Sequence, residues 1–539
     1  MTIKIKLIQF NPTVGDVKSN TDKIIHHYLR SVKKNIDIVI FPELAICGYP
    51  PEDLLFHQSF FNQIEKSILK IDKNLSNTKL IFGLPQKIDD KLYNSAILME
   101  KNKENIFYQK KILPNYGVFD EKRYFTEGKN SCIFSHQNIK YALTICEDIW
   151  DDKNTIDLKD KADIIINLNG SPYEENKHKD RVKTLKNRIK KIKIPIIYLN
   201  QVGGQDELVF DGDSMVFDDK ANIVHQMKLF KEDKRTICID GKKIIKPLTF
   251  KNNIYPNFIN RLHDALVLSI KDYVKKNNFK KVLIGLSGGI DSAVTLSLAE
   301  CAIGAKNVEA QLMPSQYTAQ MSLDDAIKQA DNLSIKYNII PIINSFDTIL
   351  STMSPFFVGK KTDITEENIQ ARIRAVLIMA MANKFNKLVI TTGNKSEMAT
   401  GYCTLYGDMA GGFAPLKDVY KKDVYRLAKY INHRVEIIPH RVIIRPPSAE
   451  LSPEQKDEDS LPKYDILDII LENFIEKNQS SLQVIKQGFD KKLVNRIMSL
   501  ILKNEHKRRQ SPPGPKISHR AFGRERRYPI TQKIDLNQF

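Results

Sequence analysis

Two stretches of this chain carry residue types whose spacing suits chemistry. The first is Leu283-Ile284-Gly285-Leu286-Ser287-Gly288-Gly289-Ile290-Asp291-Ser292, where an apolar strand ends in a Ser-Gly-Gly turn and a helix begins at once. Glycines let the backbone turn tightly and aim successive N–H groups into one concavity. The helix N-terminus adds partial positive charge, so the loop suits a phosphate. Ser287 and Ser292 can donate hydroxyl hydrogen bonds. The G-x-x-x-x-G-K-[ST] spacing and its lysine are absent, and Asp291 occupies the loop instead. A carboxylate beside a pyrophosphate repels it unless a divalent cation lies between them, which implies a magnesium ion. Downstream, Leu388 to Ile390 again leads into a polar turn, Thr391-Thr392-Gly393-Asn394-Lys395-Ser396-Glu397, which would bring Glu397 to the same sheet edge as a second magnesium ligand. The bland alternatives are an ordinary glycine-rich turn and a solvated glutamate at a helix start.

The second constellation is spread more widely. Asp37-Ile38-Val39-Ile40-Phe41-Pro42-Glu43 sends a strand into a carboxylate, Ile106-Phe107-Tyr108-Gln109-Lys110 into an ammonium, and Tyr141-Ala142-Leu143-Thr144-Ile145-Cys146 into a thiol. A thiol can attack an amide carbon, a carboxylate can take and return its proton, and a fixed cation can stabilise the oxyanion. Singly, Cys146 reads equally well as a small buried hydrophobe, Glu43 as a loop acid and Lys110 as half of a surface lysine pair.

These residues need strands that end at one rim. From the start to about Asp240, short β-rich runs such as Lys79 to Phe82, Asp163 to Leu168 and Pro195 to Leu199 alternate with helical or loop segments, an α/β layered pattern. Pro256 to Asn277 is amphipathic and helical, and the junction between two domains is expected near Lys246. Beyond it, strand Lys281–Leu286, helix Ser292–Glu300, strand Val308–Met313 and helix Asp324–Tyr337 imply a parallel sheet with helical crossovers. After Asn432 the chain reads as loop-rich, and Glu505 to Pro529 is basic.

With 539 residues the chain exceeds one hydrophobic core. Its 42% hydrophobic and 27% charged content is that of a globular protein, and no apolar run approaches the roughly 20 residues a membrane span requires. The N-terminus alternates like a strand and lacks a secretion signal's apolar core, so a cytoplasmic protein is expected. Eighty-three Lys+Arg against 64 Asp+Glu give a net charge of +19, which suggests an anionic partner. The lysines are spread along the chain rather than gathered in a stripe, so small-molecule substrates are expected, with no nucleic acid and no membrane. Six cysteines show no C-x-x-C pair, leaving room for a reactive thiol but not for a zinc site or disulfide framework.

Ser287-Gly288-Gly289-Ile290-Asp291-Ser292 resembles the signature of the ATP pyrophosphatase family, which cleaves ATP to AMP and pyrophosphate while adenylating an acid or carbonyl. Phe41-Pro42-Glu43, Lys110 and Cys146-Glu147-Asp148 resemble the nitrilase superfamily, whose Glu, Lys and Cys form a catalytic triad. The surrounding Tyr-Gln-Lys-Lys-Ile-Leu departs from the relatives' frequent Tyr-Arg-Lys-x-His-Leu but favours Lys110 over Lys111. Over nearly the whole chain, the stretches Leu113 to Glu121, Gln201 to Glu207, Asp457 to Pro462, Arg508 to Lys516 and Arg520 to Arg524 are similar to the glutamine-dependent NAD synthetases.

That resemblance implies a nitrilase-like α-β-β-α sandwich over residues 1–245, acting as a glutamine amidohydrolase. Over 246–539 it implies a Rossmann-like parallel sheet with helices on both faces, acting as an ATP-dependent NAD synthetase. It implies a ligase that uses ATP, Mg2+, deamido-NAD and glutamine, and a homo-oligomer is expected. Tyr116, Ser171 and Lys177 would hold glutamine. Gly285, Leu286, Ser287, Gly288, Gly289, Ile290, Asp291, Ser292 and Thr392 would hold ATP. Asn368, Glu397 and Lys516 would hold deamido-NAD, and the basic C-terminal segment would face these anions rather than form a solvated tail. The competing reading is an RNA-modifying ATP pyrophosphatase whose positive charge grips tRNA; a glutaminase domain would have no use there.

Overall fold

The computed structural model describes residues 2–245, 247, 255–453, 455, 457–459 and 461–534. The chain divides into two compact units, Met1–Tyr255 and Pro256–Phe539. The expected junction at Lys246 lies outside the described residues.

In the first unit, strand Ile3–Gln9 alternates as a two-faced strand must. Ile3, Ile5 and Leu7 join one apolar cluster, while Ile8 and Phe10 join another. The same division runs through two sheets. One orders its seven strands as Lys243–Ile244, Asp233–Asp240, Ile3–Gln9, Ile38–Ile40, Lys79–Ile88, Lys91–Met99 and Ile106–Gln109. The other orders six as Ile223–Gln226, Met215–Phe217, Ile196–Asn200, Ile164–Asn169, Ile139–Ile145 and Cys132–His136. Ile40, Ile81 and Leu98 from the first sheet meet Leu143, Ile166 and Ile197 from the second in one buried cluster. Helices Val17–Val32 and Gln58–Asp72 cover the outer face of the first sheet through Ile24, Tyr28, Phe60 and Ile64, and helix Lys177–Ile192 covers the second through Leu185 and Ile189. The result is an α-β-β-α sandwich, as expected.

The second unit holds four parallel strands ordered Lys336–Ile339, Val308–Leu312, Val282–Gly285 and Leu388–Ile390. The chain winds from Val282–Gly285 toward one edge and later returns to its other side. The carboxyl ends of that strand and of Leu388–Ile390 therefore flank a topological switch point, where such sheets bind ligands. Helix Ile290–Ile303 is apolar on nearly every face because it is buried on nearly every face. Helix Ile364–Phe385 covers the opposite side, where Ile378 and Ala382 meet Leu283 and Val389.

Two sequence expectations fail here. The helix expected over Asp324–Tyr337 is helix Gln320–Asn332 followed by strand Lys336–Ile339, because Ser334 takes a left-handed φ of 54° that ends the helix. The chain after Asn432 is not loop-rich throughout. Tyr464–Ile475, Ser481–Ile485 and Lys491–Lys503 are helices, whose Leu467, Ile470, Leu471, Phe474, Ile497 and Ile501 share one buried cluster.

Candidate functional site

In the first unit Glu43 lies just past strand Ile38–Ile40, Lys110 directly after Ile106–Gln109, and Cys146 directly after Ile139–Ile145. The fold brings the first two into contact: Lys110 Nζ donates to Glu43 Oε1 at 2.8 Å. It also donates to a carboxylate that the sequence did not single out, Glu121 Oε1, at 2.7 Å. All three side chains are buried. Asn94 Nδ2 donates to Glu43 Oε1 at 2.7 Å, Gly170 N to Glu43 Oε2 at 2.6 Å, and Tyr49 OH to Glu121 Oε1 at 2.8 Å.

Burial alone would lower the Lys110 ammonium, but Glu121 and Glu43 hold it well above the ordinary lysine range. Burial, opposed by Lys110 and aided by Glu43, raises Glu121 to about 7. An ammonium has three N–H donors, and two are engaged by carboxylates, so one remains for a developing oxyanion.

Cys146 turns out of its strand with φ of 40°, a left-handed conformation that side chains resist. Burial chiefly, and the Glu43 charge next, push its thiol well up, with Lys110 pulling the other way. The sulfur therefore rests protonated and can attack only as its proton leaves. Two residues on, Asp148 pins this turn. It accepts from Ile145 N at 2.9 Å, Tyr108 OH at 2.7 Å, and the Lys111 and Ile112 amides at 3.0 and 2.9 Å. Lys111 thus contributes its backbone, while its ammonium turns to Ser131 Oγ at 2.9 Å.

Of the residues expected to hold glutamine, Tyr116 is 55% exposed, and its OH donates to Glu147 Oε1 at 2.8 Å. Ser171 is buried after strand Ile164–Asn169, with Arg181 Nη2 donating to its carbonyl at 2.9 Å and its hydroxyl at 3.1 Å. Asp211 clamps the same guanidinium at 2.9 and 2.8 Å. Lys177 opens helix Lys177–Ile192, with its ammonium 4.7 Å from the Trp150 ring centre.

In the second unit a cavity of about 430 Å3 opens at the switch point. Gly285, Leu286, Ser287, Gly289, Ile290, Asp291, Ser292, Thr392, Asn368 and Glu397 all line it. Gly288 shapes the loop from behind the wall: its φ is 79°, and a Cβ there would fall 2.2 Å from the Ser322 carbonyl oxygen. Lys516 is not brought to the cavity; its ammonium pairs with Glu525 at 3.3 Å and donates to the Ser518 carbonyl at 2.9 Å. Sequence reasoning missed the wall cations Arg374, Lys421 and Arg445, while Lys507 comes from the basic C-terminal segment expected to face the anions. None ends a strand in a recognisable motif, and Lys421-Lys422 reads as a surface pair.

Lys421 is the centre of this site. Its Nζ donates to Asp291 Oδ2 at 2.5 Å and Glu397 Oε1 at 3.2 Å, while Asn394 Nδ2 reaches Asp291 Oδ1 at 2.9 Å. Burial, against the pull of Lys421 and with the repulsion of Asp291 and Asp457, raises Glu397 to about 8. Among the described residues no cluster of three or more acidic, His or Cys side chains could cage a metal. Magnesium keeps waters and phosphate oxygens and needs only one or two carboxylates, and Asp291 and Glu397, drawn to one cation beside the loop, fit that role.

The family model for carbon-nitrogen hydrolase matches residues 4–244, and that for NAD synthase matches residues 262–511. The chain is 46% identical, over 98% of each chain, to the glutamine-dependent NAD(+) synthetase of Acinetobacter baylyi, and 41% identical, over 99% of each, to that of Thermotoga maritima. The solved structure of glutamine-dependent NAD+ synthetase from Acinetobacter baumannii in complex with adenosine diphosphate is similar with a TM-score of 0.80, at 42% identity over 98% of both chains.

Proposed function

The chain belongs to the glutamine-dependent NAD(+) synthetase family, and from that premise we propose that its first unit releases ammonia from glutamine while its second uses ATP to activate the acid that receives it. The acid is deamido-NAD, and the products are NAD, AMP, pyrophosphate and glutamate. The observation that carries this two-part reading is that each unit holds its own buried lysine–carboxylate cluster, one beside a cysteine sulfur and the other beside a phosphate-type loop.

In the first unit Cys146 Sγ attacks the glutamine amide carbon as Glu43 takes the thiol proton, and Glu43 then returns it to the departing ammonia. The free N–H of Lys110 meets the oxyanion, and Glu121 keeps that ammonium charged and aimed. Tyr116, Ser171 and Lys177 bind the amino-acid end of glutamine. Water then hydrolyses the thioester.

In the second unit the loop from Gly285 to Ser292 and Thr392 cradles ATP, and the ADP complex of the Acinetobacter baumannii relative supports an adenine nucleotide there. Asn368, Glu397 and Lys516 hold the dinucleotide acid, the first two from the cavity wall and Lys516 with its ammonium positioned by Glu525. Mg2+ held by Asp291 and Glu397 would neutralise the phosphates as pyrophosphate leaves. Lys421, Arg374, Arg445 and Lys507 balance the remaining negative charge without any nucleic-acid partner.

No helix among the described residues is long and apolar enough to cross a membrane, and we place the enzyme in the cytoplasm. Ile349, Phe356, Val358, Ile364, Val376 and Met379 stand exposed on helices Ile343–Met353 and Ile364–Phe385 and the turn between them, which supports self-association of copies through that face. Sedimentation of the protein tests this.

The deciding assay supplies deamido-NAD, ATP and Mg2+ with either glutamine or an ammonium salt, and measures NAD, AMP and pyrophosphate. Absence of NAD with ammonium salt would overturn the ligase reading, and NAD from ammonium but not from glutamine would overturn the glutaminase half.

A further inference from the structure

Beneath helix Lys177–Ile192 lies an ion pair that no step of the reaction uses. Arg181 and Asp211 are both buried. Asp211 ends strand Leu208–Asp211, and its two carboxylate oxygens accept from Arg181 Nη1 at 2.9 and 2.8 Å. A buried pair of this kind seldom stabilises a fold more than well-packed apolar residues would, because both ions must leave water. Its presence calls for another reason.

The other half of the guanidinium supplies one. Arg181 Nη2 donates to the Ser171 carbonyl at 2.9 Å, the Ser171 hydroxyl at 3.1 Å and the Pro172 carbonyl at 3.1 Å. Its Nε is buried and finds no partner among the described residues. An unpaired buried N–H is costly, so the fork is held by its two tips, at the angle that the Gly170–Pro172 segment requires. Asn200 grips that segment as well: its Oδ1 accepts from Ser171 N at 2.9 Å, and its Nδ2 donates to the Ser171 carbonyl at 3.1 Å and to Asp211 Oδ1 at 3.3 Å.

Two neighbours in the segment face the chemistry. Ser171 is a glutamine contact on the proposed function, and Gly170 N donates to Glu43 Oε2 at 2.6 Å. Little slack exists there, since a Cβ on Gly170 would fall 3.3 Å from that same oxygen and 3.1 Å from the Tyr49 ring. The carbonyls that Arg181 holds therefore set where the substrate contact and the base both stand. A planar guanidinium can grip a carboxylate with one tip and protein oxygens with the other, which the compact ammonium of a lysine cannot.

We propose that Arg181 is a positioning residue of the glutamine site: anchored by Asp211, it fixes the Gly170–Pro172 segment so that Ser171 meets glutamine and Glu43 stays in place as the base, a role that rests on the glutaminase reading of the first unit.

The test replaces the pair by apolar residues in the full-length chain, Arg181→Met with Asp211→Leu. The single tryptophan, Trp150, lies in the first unit, and its fluorescence in denaturant should report a midpoint at or above that of the wild type. Glutamate release from glutamine should nevertheless lose about 10²-fold in kcat/KM, shared between a higher KM from the displaced Ser171 and a lower kcat from the displaced Glu43. The ammonium-supported rate of NAD synthesis should stay at the wild-type value. Arg181→Lys, which keeps the charge and loses the fork, should cost about tenfold and serves as the readout if the double variant unfolds early. With Ser171→Ala already in place, either Arg181 variant should raise KM by no more than about twofold and still lower kcat, because the hydroxyl it acted through is gone. Wild-type kcat and KM for glutamine in both Arg181 variants, or KM effects that simply multiply with that of Ser171→Ala, would overturn the proposal. A wild-type protein that makes NAD from ammonium and never from glutamine would instead overturn the glutaminase reading beneath it.

Discussion

Lys110 and Lys421 are both buried ammoniums gripped by carboxylates, but their surroundings differ. Around Lys110 the Glu43 and Glu121 side chains are 1% and 5% exposed, so the cluster is sealed from water. Around Lys421 the Asp291 and Glu397 side chains are 17% and 16% exposed and line a cavity. A sealed cluster keeps one permanent cation in place for an oxyanion that forms in the same spot each turnover. An open cluster can exchange or share its cation with an incoming metal–nucleotide. On the proposed function, the same residue types serve as fixed machinery in one unit and as a place-holder for the metal–nucleotide in the other.

The largest test of that difference separates the two nitrogen sources. Cys146→Ala should cut glutamine-supported NAD synthesis by more than about 10³-fold and leave ammonium-supported synthesis intact, because only the supply of ammonia is lost. Asp291→Asn should stop pyrophosphate release with both sources. Initial rates with glutamine and with ammonium chloride measure both, and equal loss from Cys146→Ala with either source would merge the two units into one machine.

Next comes stability. Lys110→Met leaves two carboxylates buried without their cation, a defect worth about 3–5 kcal/mol. Lys421→Met should cost clearly less, since its carboxylates border the cavity and can be solvated from it, and Mg2+ should recover part of the loss. Denaturant unfolding of both variants, with and without Mg2+, reads the gap. Equal losses insensitive to the metal would remove the distinction between closed and open clusters.

These clusters also mark where the sequence stopped being informative. Glu43, Lys110 and Cys146 could be singled out because each follows an apolar run, and the parallel sheet could be read from alternating strands and helices. Glu121 sits in the short turn Glu121–Arg123, eleven residues past Lys110, where local pattern gives an acid in a loop and only the folded chain reveals a partner. Lys421 begins a helix inside a Lys-Lys-Asp run that reads as solvated surface, yet it is 2% exposed. Lys516 shows the same limit: similarity of the surrounding stretch implies a ligand contact, while the carboxylate that holds its ammonium, Glu525, comes only from the fold. Spacing along a chain identifies residues that end strands; it does not identify the charges that tertiary packing brings to them.

A smaller effect concerns protons. Glu397 is raised to about 8 from an ordinary 4.5, so the folded protein holds a proton there that the unfolded chain has released. Folded-state proton binding exceeds that of the unfolded state between those values, so Glu397 makes the unliganded second unit lose stability as pH rises from about 4.5 to about 8. Mg2+–nucleotide favours the ionised carboxylate and should expel up to about one proton per site at pH 7. Calorimetric titration in buffers of different ionisation enthalpy counts it, and Glu397→Gln should abolish it. Undiminished release in that variant would assign the proton elsewhere and weaken the case for Glu397 as a metal ligand.

The smallest expected change lies at the rim of the closed cluster. Tyr116 OH donates to Glu147 Oε1 at 2.8 Å, a bond to a charged acceptor beside the Cys146 turn. Such bonds contribute roughly 1.5–3 kcal/mol when buried, but the tyrosine is 55% exposed, and water competes for the acceptor. Tyr116→Phe should therefore raise the KM for glutamine by only about two- to fivefold. Neither kcat nor the ammonium-supported rate should move, because the ring still packs against Phe119 with centres 5.7 Å apart. If kcat fell instead, the hydroxyl would be acting on the Cys146 turn rather than on the substrate, and the rim would belong to the sealed machinery after all.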